Sequence, residues 1–375
     1  MASNLSTEHT KLILDGTKIQ WHRDRVEAWQ RGERIAPITI DMALTRACNY
    51  GCGYCYAMMQ ENERQAITKE VMFNFIDDAA EIGVKAISLV SDGESTLHPN
   101  FADIIVRGSE AGISMASGTN GYLLDEKKLE RIMPHLTYLR INISAGEPAR
   151  YKEIMGVRDG FFERVCENIK TMVRIKKEKN LKTTIGLQMV LDPKYSDQII
   201  PLAELGKKLR PDYLVIKHCS DDENGFLGVD YGGYKPLYDL LKQAEGMSDD
   251  EYTVAVKWSK IKAEGKRSYE QCYGAPFLLQ ISGSGLVAPC GMLFGEAYKK
   301  FHIGNIVTER FRDIYKSDRY WEVMSYLASK DFNAKKACGS LCLQHKVNEV
   351  LDNVKKGRTT LPDNPGEIPE HVNFI

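Results

Sequence analysis

The sequence has no uninterrupted apolar run of about 18 residues, the length that a membrane-spanning helix needs. It has almost no net charge, since 50 lysines and arginines face 51 aspartates and glutamates. No overall electrostatic field therefore favours nucleic acid or an anionic membrane. The first residues also lack the basic and apolar regions of a secretory signal. We expect a cytoplasmic protein that binds neither nucleic acid nor membrane.

Low-complexity segments and short-period repeats are also missing. The 375 residues are 43% apolar and 27% charged, which is ordinary for globular proteins and excludes a disordered, collagen-like or coiled-coil chain. This length suits two or three domains, or one barrel with an appendage.

Nine cysteines are present, an odd number. Thiols stay reduced in the cytoplasm, so metal or iron–sulfur ligation explains them better than a disulfide framework. They are Cys48, Cys52, Cys55, Cys166, Cys219, Cys272, Cys290, Cys338 and Cys342.

Strand-like and helix-like runs alternate through the first half of the chain. This order predicts parallel strands joined by right-handed crossovers, in an open doubly wound sheet or a full or partial barrel. In each of these folds the chemistry lies at the carboxyl ends of the strands. The strand-like runs are 38–44, 86–90, 113–117, 138–143, 183–191 and 213–217, and the helix-like runs are 68–82, 101–111, 125–133, 161–179 and 197–209.

Four regions are predicted along the chain. Residues 1–37 form a preamble with a hairpin over 11–21, and residues 38–220 form the α/β core. Residues 221–360 form an extension that contains a β-hairpin over 277–289, since Gly283-Ser284-Gly285 separates two apolar runs. Residues 361–375, with three prolines, are expected to extend over the surface.

Three cysteines follow the first predicted strand with the spacing Cys48-x3-Cys52-x2-Cys55. Glycines at 51 and 53 allow this loop to fold tightly enough for the thiolates to converge. Three thiolates on a four-iron cluster leave one iron open, as catalytic metal sites do. A three-cysteine zinc site completed elsewhere is the alternative.

This spacing, with Tyr54 before the last cysteine, resembles the signature of the radical S-adenosylmethionine (SAM) superfamily. The resemblance implies a partial (β/α)6 barrel, a [4Fe-4S] cluster whose open iron chelates SAM, and a 5′-deoxyadenosyl radical that abstracts a hydrogen atom. It also implies a reduced flavodoxin or ferredoxin-like electron donor.

Other strand ends carry polar residues at positions where the family contacts SAM. The second strand ends in Ser-Asp-Gly-Glu-Ser, where the family commonly has Gly-Gly-Glu-Pro; Asp92 and Ser95 depart from that motif. Glu94 is the residue that chemistry needs, because a carboxylate accepts hydrogen bonds from the SAM ammonium. The resemblance thus implies a SAM-binding set of Tyr54, Gly93, Glu94, Ser117, Asn120, Asn142, Ser144 and Gln188.

A second cysteine group follows the core. Cys338 and Cys342 fall on a helix-like segment, where i and i+4 side chains face the same way. With Cys272 and Cys290 they make a four-cysteine site for zinc or for an iron–sulfur cluster. Beside a radical SAM core, the spacing Cys272-x12-Gly285-x4-Cys290 resembles the SPASM/twitch extension, which implies one auxiliary [4Fe-4S] cluster. Being fully ligated, that cluster would serve as an electron conduit or acceptor.

Two cysteines remain. Cys166 lies on a predicted amphipathic helix and is expected in the core. Cys219 follows the sixth strand, at the rim where a substrate would sit. We predict Cys219, Lys217 and His218 as catalytic residues: the thiol as a hydrogen-atom donor, the other two to deprotonate a hydroxyl or bind a phosphate.

The sequence thus predicts a radical SAM oxidoreductase or epimerase. Only 37 residues precede the first strand, whereas relatives that modify ribosomal peptides often carry a leader-binding domain there. We therefore expect a small, carbohydrate-like substrate. The alternatives are a peptide maturase that forms crosslinks or thioethers, and a zinc-stabilised binding protein.

Overall fold

The computed structural model describes residues 12–60, 63, 65–340 and 342–375. Within these residues one sheet of ten strands runs in the order β10-β9-β8-β1-β2-β3-β4-β5-β6-β7. The strands are β1 (Thr39–Met42), β2 (Ala86–Leu89), β3 (Ser114–Thr119), β4 (Leu136–Asn142), β5 (Thr184–Leu191), β6 (Tyr213–His218), β7 (Thr253–Val256), β8 (Leu278–Ile281), β9 (Leu286–Ala288) and β10 (Gly304–Asn305).

Strands β1 to β7 pair in parallel, each with the next along the chain. Their carboxyl ends therefore meet at one edge of the sheet. The predicted α/β partial barrel is confirmed. Strand β7 extends it, because residues 253–256 lie beside β6, although the sequence pattern places them in the extension.

Helices join the strands and cover the sheet. Helix α2 shows how the sequence sets their bounds: Thr68 caps its amino end and Gly83, in the left-handed region at φ 91°, ends it. The helices are α1 (Arg23–Gln30), α2 (Lys69–Ile82), α3 (Phe101–Glu110), α4 (Glu126–Ile132), α5 (Pro148–Met155), α6 (Phe161–Glu178), α7 (Ile199–Leu209), α8 (Tyr238–Glu245), α9 (Trp258–Ile261), α10 (Phe311–Lys316), α11 (Asp318–Ala328), α12 (Ala334–Ala337) and α13 (His345–Lys355).

The predicted hairpin in the extension joins this same sheet. Strand β8 pairs in parallel with β1, and β9 turns back antiparallel to β8. The sheet thus continues across residue 220, where the sequence pattern begins a separate region. No helix in the described part of the chain is long and apolar enough to cross a membrane.

Of the two predictions for the chain termini, one is wrong and the other holds for only part of the segment. A 3₁₀ helix, Gly16–Trp21, stands where a hairpin is predicted, because the Asp15 carboxylate accepts from the Thr17 amide at 2.9 Å and caps a helical turn; residue 11 lies outside the described residues. In the carboxyl-terminal tail, residues 362–364 and 366–368 are exposed, but the last residues turn inward. Phe374 is buried against Tyr138, and the Thr39 hydroxyl donates to the Asn373 carbonyl at 2.6 Å, so apolar burial draws the tail under the barrel.

Candidate active site and cluster sites

The three-cysteine loop follows β1, and the carboxyl end of α5 packs against it. The amides of Gly51 and Gly53 donate to the carbonyls of Met155 (3.3 Å) and Ile154 (3.1 Å) at the end of that helix. Gly156 ends the helix at φ 59°, and a Cβ there would lie 2.2 Å from the Gly51 carbonyl oxygen. Only glycine fits this approach. Sequence patterning missed α5, although Pro148 at its first turn is a helix-start signal.

The thiols of this loop lie close enough to disfavour one another's ionisation. Burial raises the pKa of Cys48 to about 11, and the negative charges of Glu94 and Cys55 add to it. Burial, then the neighbouring Cys55 and Cys48, raises the pKa of Cys52. These thiols would hold iron as thiolates, because a bound cation favours the deprotonated form. Cys48, Cys52 and Cys55 therefore lie near one another in one loop, and this donor set suits a three-cysteine cluster.

Glu94 ties the cysteine loop to the ends of β2 and β3. Its carboxylate accepts from the Thr96 hydroxyl (2.7 Å) and amide (3.1 Å), the Thr119 hydroxyl (2.7 Å) and the Asn120 amide (2.8 Å). Its own amide donates to the Ala47 carbonyl at 2.9 Å. Glu94 thus places a negative charge beside Cys48 while its oxygens hold neighbouring backbone.

Gly93 is required by close approach. A Cβ at this position would lie 1.9 Å from the Thr45 carbonyl oxygen. The motif departures beside it also have structural causes. The Asp92 carboxylate accepts from the Ser282 hydroxyl (2.5 Å) and the Gly283 amide (2.9 Å), and it pairs with Arg46 at 3.2 Å. Asp92 therefore joins the barrel to the extension.

The remaining predicted SAM-binding side chains fall into two groups. The Gln188 amide donates to the Asn142 Oδ1 at 2.7 Å on adjacent strands. Close by, the Ser144 hydroxyl accepts from the Val190 amide at 3.1 Å. Burial raises the pKa of Tyr54, and a hydrogen bond with Ser144 offsets part of that increase. Asn142 thus lies beside Gln188, and Ser144 beside Tyr54 of the cysteine loop.

Two of the predicted SAM-binding residues are committed elsewhere. Asn120 uses its side-chain amide to hold Asn49, at 2.8 Å, in the cysteine loop. Its Oδ1 accepts from the Tyr122 amide at 3.1 Å, as a turn residue does. Ser117 is fully buried, with its hydroxyl directed at the Leu89 carbonyl at 3.5 Å.

The second cysteine group surrounds one small cavity of about 30 Å³. The Asn348 side-chain amide lies 3.6 Å from the sulfur of Cys272 and 3.5 Å from that of Cys342 and donates to both. Burial and the neighbouring thiols raise the pKa of Cys272 and of Cys290 to about 12. All four thiols, Cys272, Cys290, Cys338 and Cys342, line this cavity.

The predicted helix through Cys338 and Cys342 is wrong. Helix α12 ends at Ala337, and Cys338 is extended at φ −130°, ψ 144°. Packing is the reason, because a Cβ on Gly339 would lie 2.2 Å from the Asp221 carbonyl oxygen, and the Ser340 hydroxyl donates to that carbonyl at 3.1 Å. The close contact with residue 221 holds this segment extended.

In the described part of the chain, no three His, Cys, Asp or Glu side chains are placed to chelate a single metal ion. The thiolates of a four-iron cluster are spaced more widely, because each binds a different iron. The fit to a cluster accordingly rests on the four thiols that share one cavity and on the Asn348 amide that reaches two of them.

Lys217, His218 and Cys219 lie at the end of β6 as predicted, but their side chains separate. Lys217 lines the interior of the barrel, and burial lowers its pKa to about 7. His218 is buried beside Ser220, with its Nε2 3.3 Å from that hydroxyl. Cys219 is fully buried and its amide donates to the Tyr234 hydroxyl at 2.9 Å. Cys166 is buried in the core, as expected.

Sequence reasoning missed three cationic residues of the barrel interior, Arg140, Lys257 and Lys260. Arg140 carried a usable signal, since an arginine between Leu139 and Ile141 in the middle of a strand is unusual. Lys257 and Lys260 carried no such signal in the sequence, because charged residues near the start of a helix are common.

Two family models match the chain. The radical SAM superfamily model covers residues 42–205, and the SPASM model, described as an iron–sulfur cluster-binding domain, covers residues 272–343. The protein is a radical SAM enzyme with a SPASM domain. These domains imply a [4Fe-4S] cluster with SAM and an auxiliary iron–sulfur centre, so the cofactor predictions are confirmed. The zinc interpretation of the second cysteine group is not supported.

Relatives of this radical SAM enzyme align over most of its length. It is 26% identical over 335 residues to the AdoMet-dependent heme synthase of Methanosarcina barkeri, covering 83% of this chain and 90% of the relative. It is 23% identical over 301 residues to the tungsten-containing aldehyde ferredoxin oxidoreductase cofactor-modifying protein of Pyrococcus furiosus, covering 74% and 81%.

A solved structure shares the fold. The crystal structure of Streptococcus suis SuiB bound to S-adenosylmethionine superposes with a TM-score of 0.63 at 17% identity, covering 95% of this chain and 82% of SuiB. SuiB has also been solved with its precursor peptide SuiA. At this identity the likeness establishes the fold.

Proposed function

We propose that this enzyme cleaves SAM reductively and abstracts a hydrogen atom from a small molecule, which is then oxidised or epimerised. The observation that carries the proposal is the convergence of Cys48, Cys52 and Cys55 in a loop that Glu94 and α5 hold at the carboxyl edge of the sheet. With its cluster and SAM bound, such a site supplies a 5′-deoxyadenosyl radical.

The chain's own residues would divide the remaining work. Asn142, Ser144, Gln188 and Tyr54 present hydroxyl and amide groups that would orient SAM, while the Glu94 charge favours its ammonium. Cys219 is our candidate hydrogen-atom donor for epimerisation. Burial raises the pKa of Cys219 to about 12, so the thiol keeps the hydrogen that a donor must give at neutral pH.

The relatives support a small-molecule substrate. Those that align over most of this chain are named for heme synthesis and for modifying a cofactor. We take a carbohydrate-like alcohol as the first class to assay. Peptide maturation, the alternative, would appear as modification of a short precursor peptide in place of a small molecule.

The test is SAM cleavage by the anaerobically reconstituted full chain, with dithionite as reductant and chromatographic detection of 5′-deoxyadenosine. We expect Cys52→Ala to reduce the product at least a hundredfold, because the cluster loses one of its three ligands. Cys166→Ala, which removes a core thiol away from both clusters, is the matched control and should retain activity. Wild-type protein that holds both clusters and yields no 5′-deoxyadenosine would refute the proposal.

Deuterated substrates then separate the product classes. Transfer of deuterium into 5′-deoxyadenosine identifies the substrate and the carbon attacked. If the product is an epimer, Cys219→Ala should abolish it while 5′-deoxyadenosine still forms; an unchanged epimer yield would remove Cys219 from the mechanism.

A further inference from the structure

A cavity of about 150 Å³ lies inside the barrel. Strands β1, β4, β5 and β6 supply its walls, and the residues after β7 close its side. The segment around Lys18 and the tail residues His371 and Phe374 form its floor. The cavity lies within the described residues, and none of the seven predicted cluster cysteines lines it.

Five cationic side chains line this cavity: Lys18, Arg140, Lys217, Lys257 and Lys260. Among the residues that the structure describes, no carboxylate oxygen lies within 4.0 Å of any of the five. A sixth, Lys346, is paired with Glu349 at 3.2 Å. Buried cations in proteins are ordinarily paired, because an uncompensated charge away from water is costly.

Two carboxylates, Asp15 and Asp41, also line the cavity, so five basic side chains face two acidic ones. Burial lowers the pKa of Lys18 and of Lys217 to about 7, so these two ammonium groups are only partly charged without an anion. Both carboxylates are engaged elsewhere: Asp15 caps the first 3₁₀ helix, and Asp41 accepts from the Gln280 amide at 3.2 Å. Burial raises the pKa of Asp41 to about 7, which further reduces the negative charge that it contributes. The neighbouring His371 is neutral at pH 7, since burial lowers its pKa to about 3.

Several donors in the cavity lack hydrogen-bond acceptors. The Arg140 Nε has none, although the guanidinium lies 5.4 Å from the Tyr138 ring centre. Lys18 is 3% exposed, and no acceptor among the described residues bonds its ammonium. Lys260 alone of the five contacts the auxiliary site, through the Cys342 carbonyl at 3.0 Å. The auxiliary cluster therefore does not account for the other four cations.

The cavity reaches the proposed SAM side of the barrel. Gln188 lines it and bonds Asn142, one of the candidate SAM-binding residues. Val90, which directly follows β2, lines it too. A molecule whose acidic group lay among the lysines would thus extend its remainder toward the three-cysteine loop.

We propose that this cavity binds an oxyanion group, phosphate or carboxylate, of the substrate. A guanidinium with several ammonium groups is the donor set that recognises such oxyanions. The volume equals that of about five water molecules, which suits one oxyanion group and excludes a whole nucleotide. The identification of this ligand as the substrate rests on the proposed function, whereas the binding of an anion in the cavity does not depend on it.

The test is calorimetric titration of the full chain, with both clusters reconstituted and without SAM or reductant. Inorganic phosphate and acetate are the two probes, with chloride as the ionic-strength control. We expect one of the two to bind with one-to-one stoichiometry and to be weakened at least tenfold by Lys217→Met. Lys330→Met, which removes the same charge from an exposed position outside the cavity, should leave binding unchanged.

Arg140→Met provides a second variant should Lys217→Met fail to fold. A measurement on the wild-type protein does not depend on any variant folding. Anion binding should be accompanied by proton uptake, because a bound anion favours the charged form of the lysines. Proton uptake is detected as a binding enthalpy that changes with the ionisation enthalpy of the buffer. Phosphate binding without acetate binding indicates a phosphorylated substrate, and the reverse a carboxylic acid.

Absence of binding by both anions at millimolar concentration would overturn the proposal. Binding that Lys217→Met and Arg140→Met leave unchanged would overturn it too, since the anion would then lie elsewhere. Because no SAM is present, failure here is distinct from failure of SAM cleavage.

Discussion

At the scale of single residues, the close approach of two backbone segments at a glycine influences the position of the cysteine loop more than side-chain chemistry does. Gly93 was predicted as a SAM contact, but its position shows a steric requirement: a Cβ would lie 1.9 Å from the Thr45 oxygen. Thr45 lies in the segment that leads into the cysteine loop. The lack of a Cβ at Gly93 thus allows the backbone that leads into the cysteine loop to take its position.

We expect Gly93→Ala to lower the unfolding free energy by about 1–3 kcal/mol, the usual cost of forcing a carbon into a packed site. Iron at the first cluster should fall with it, because the loop must move. Thermal melting and iron analysis of anaerobic protein measure both. Gly295→Ala is the control, as the nearest atom to its Cβ is 3.9 Å away; equal effects of the two substitutions would contradict the steric explanation.

At the scale of elements, the tail shows how a segment without regular structure closes the barrel. His371 is 3% exposed, and its Nε2 lies 3.0 Å from the Thr184 hydroxyl at the start of β5. Burial, followed by the charges of Lys18 and Arg140, lowers the pKa of His371 from 6.5 to about 3. The folded state therefore holds the neutral ring.

This shift makes stability depend on pH. Between pH 3 and 6.5 the unfolded chain binds a proton at His371 that the folded chain does not, so stability falls as the pH drops. From pH 7.5 to 5.5 the loss attributable to this residue is about 1.4 kcal/mol. We expect His371→Gln to remove that share of the pH dependence in calorimetric melting. Wild type and variant that lose stability in parallel would show that the buried ring does not titrate as described.

At the scale of the whole molecule, the barrel and the SPASM domain share one sheet. Strand β8 pairs with β1, the strand that leads into the first cluster loop. Asp92 reinforces this junction, because it accepts from Ser282 and Gly283 and pairs with Arg46. We therefore expect the two cluster sites to unfold as one cooperative unit.

Removal of that junction should affect both clusters together. We expect Asp92→Ala to lower the unfolding free energy by about 3–5 kcal/mol, as the loss of one partner of a buried ion pair does. Asp77→Ala breaks the exposed pair with Arg107 and should cost less than about 1 kcal/mol. Melting followed at the iron–sulfur absorbance gives the comparison. Loss of one cluster at a temperature where the other persists would contradict a single unit.

Sequence patterning predicted the first six strands to within two residues at each end, because buried parallel strands are short apolar runs that few other elements imitate. It assigned residues 253–256, which form β7, to the extension, although this strand pairs with β6 in the barrel. It also assigned a helix through Cys338 that contact with residue 221 prevents. Helix periodicity reports local preference, and there the tertiary contact overrides it.

The amino-acid sequence by itself determined the cysteine spacings, the parallel strand order and, through them, the radical SAM and SPASM domains. These features are local, since thiols three or four residues apart converge in any tight loop. Only the tertiary structure decided which polar groups meet. Lys18, Arg140, Lys217, Lys257 and Lys260 come from separate segments, and their shared cavity exists because the barrel closes around them. Charge enclosed in this way depends on distance in space, which no pattern along the chain records.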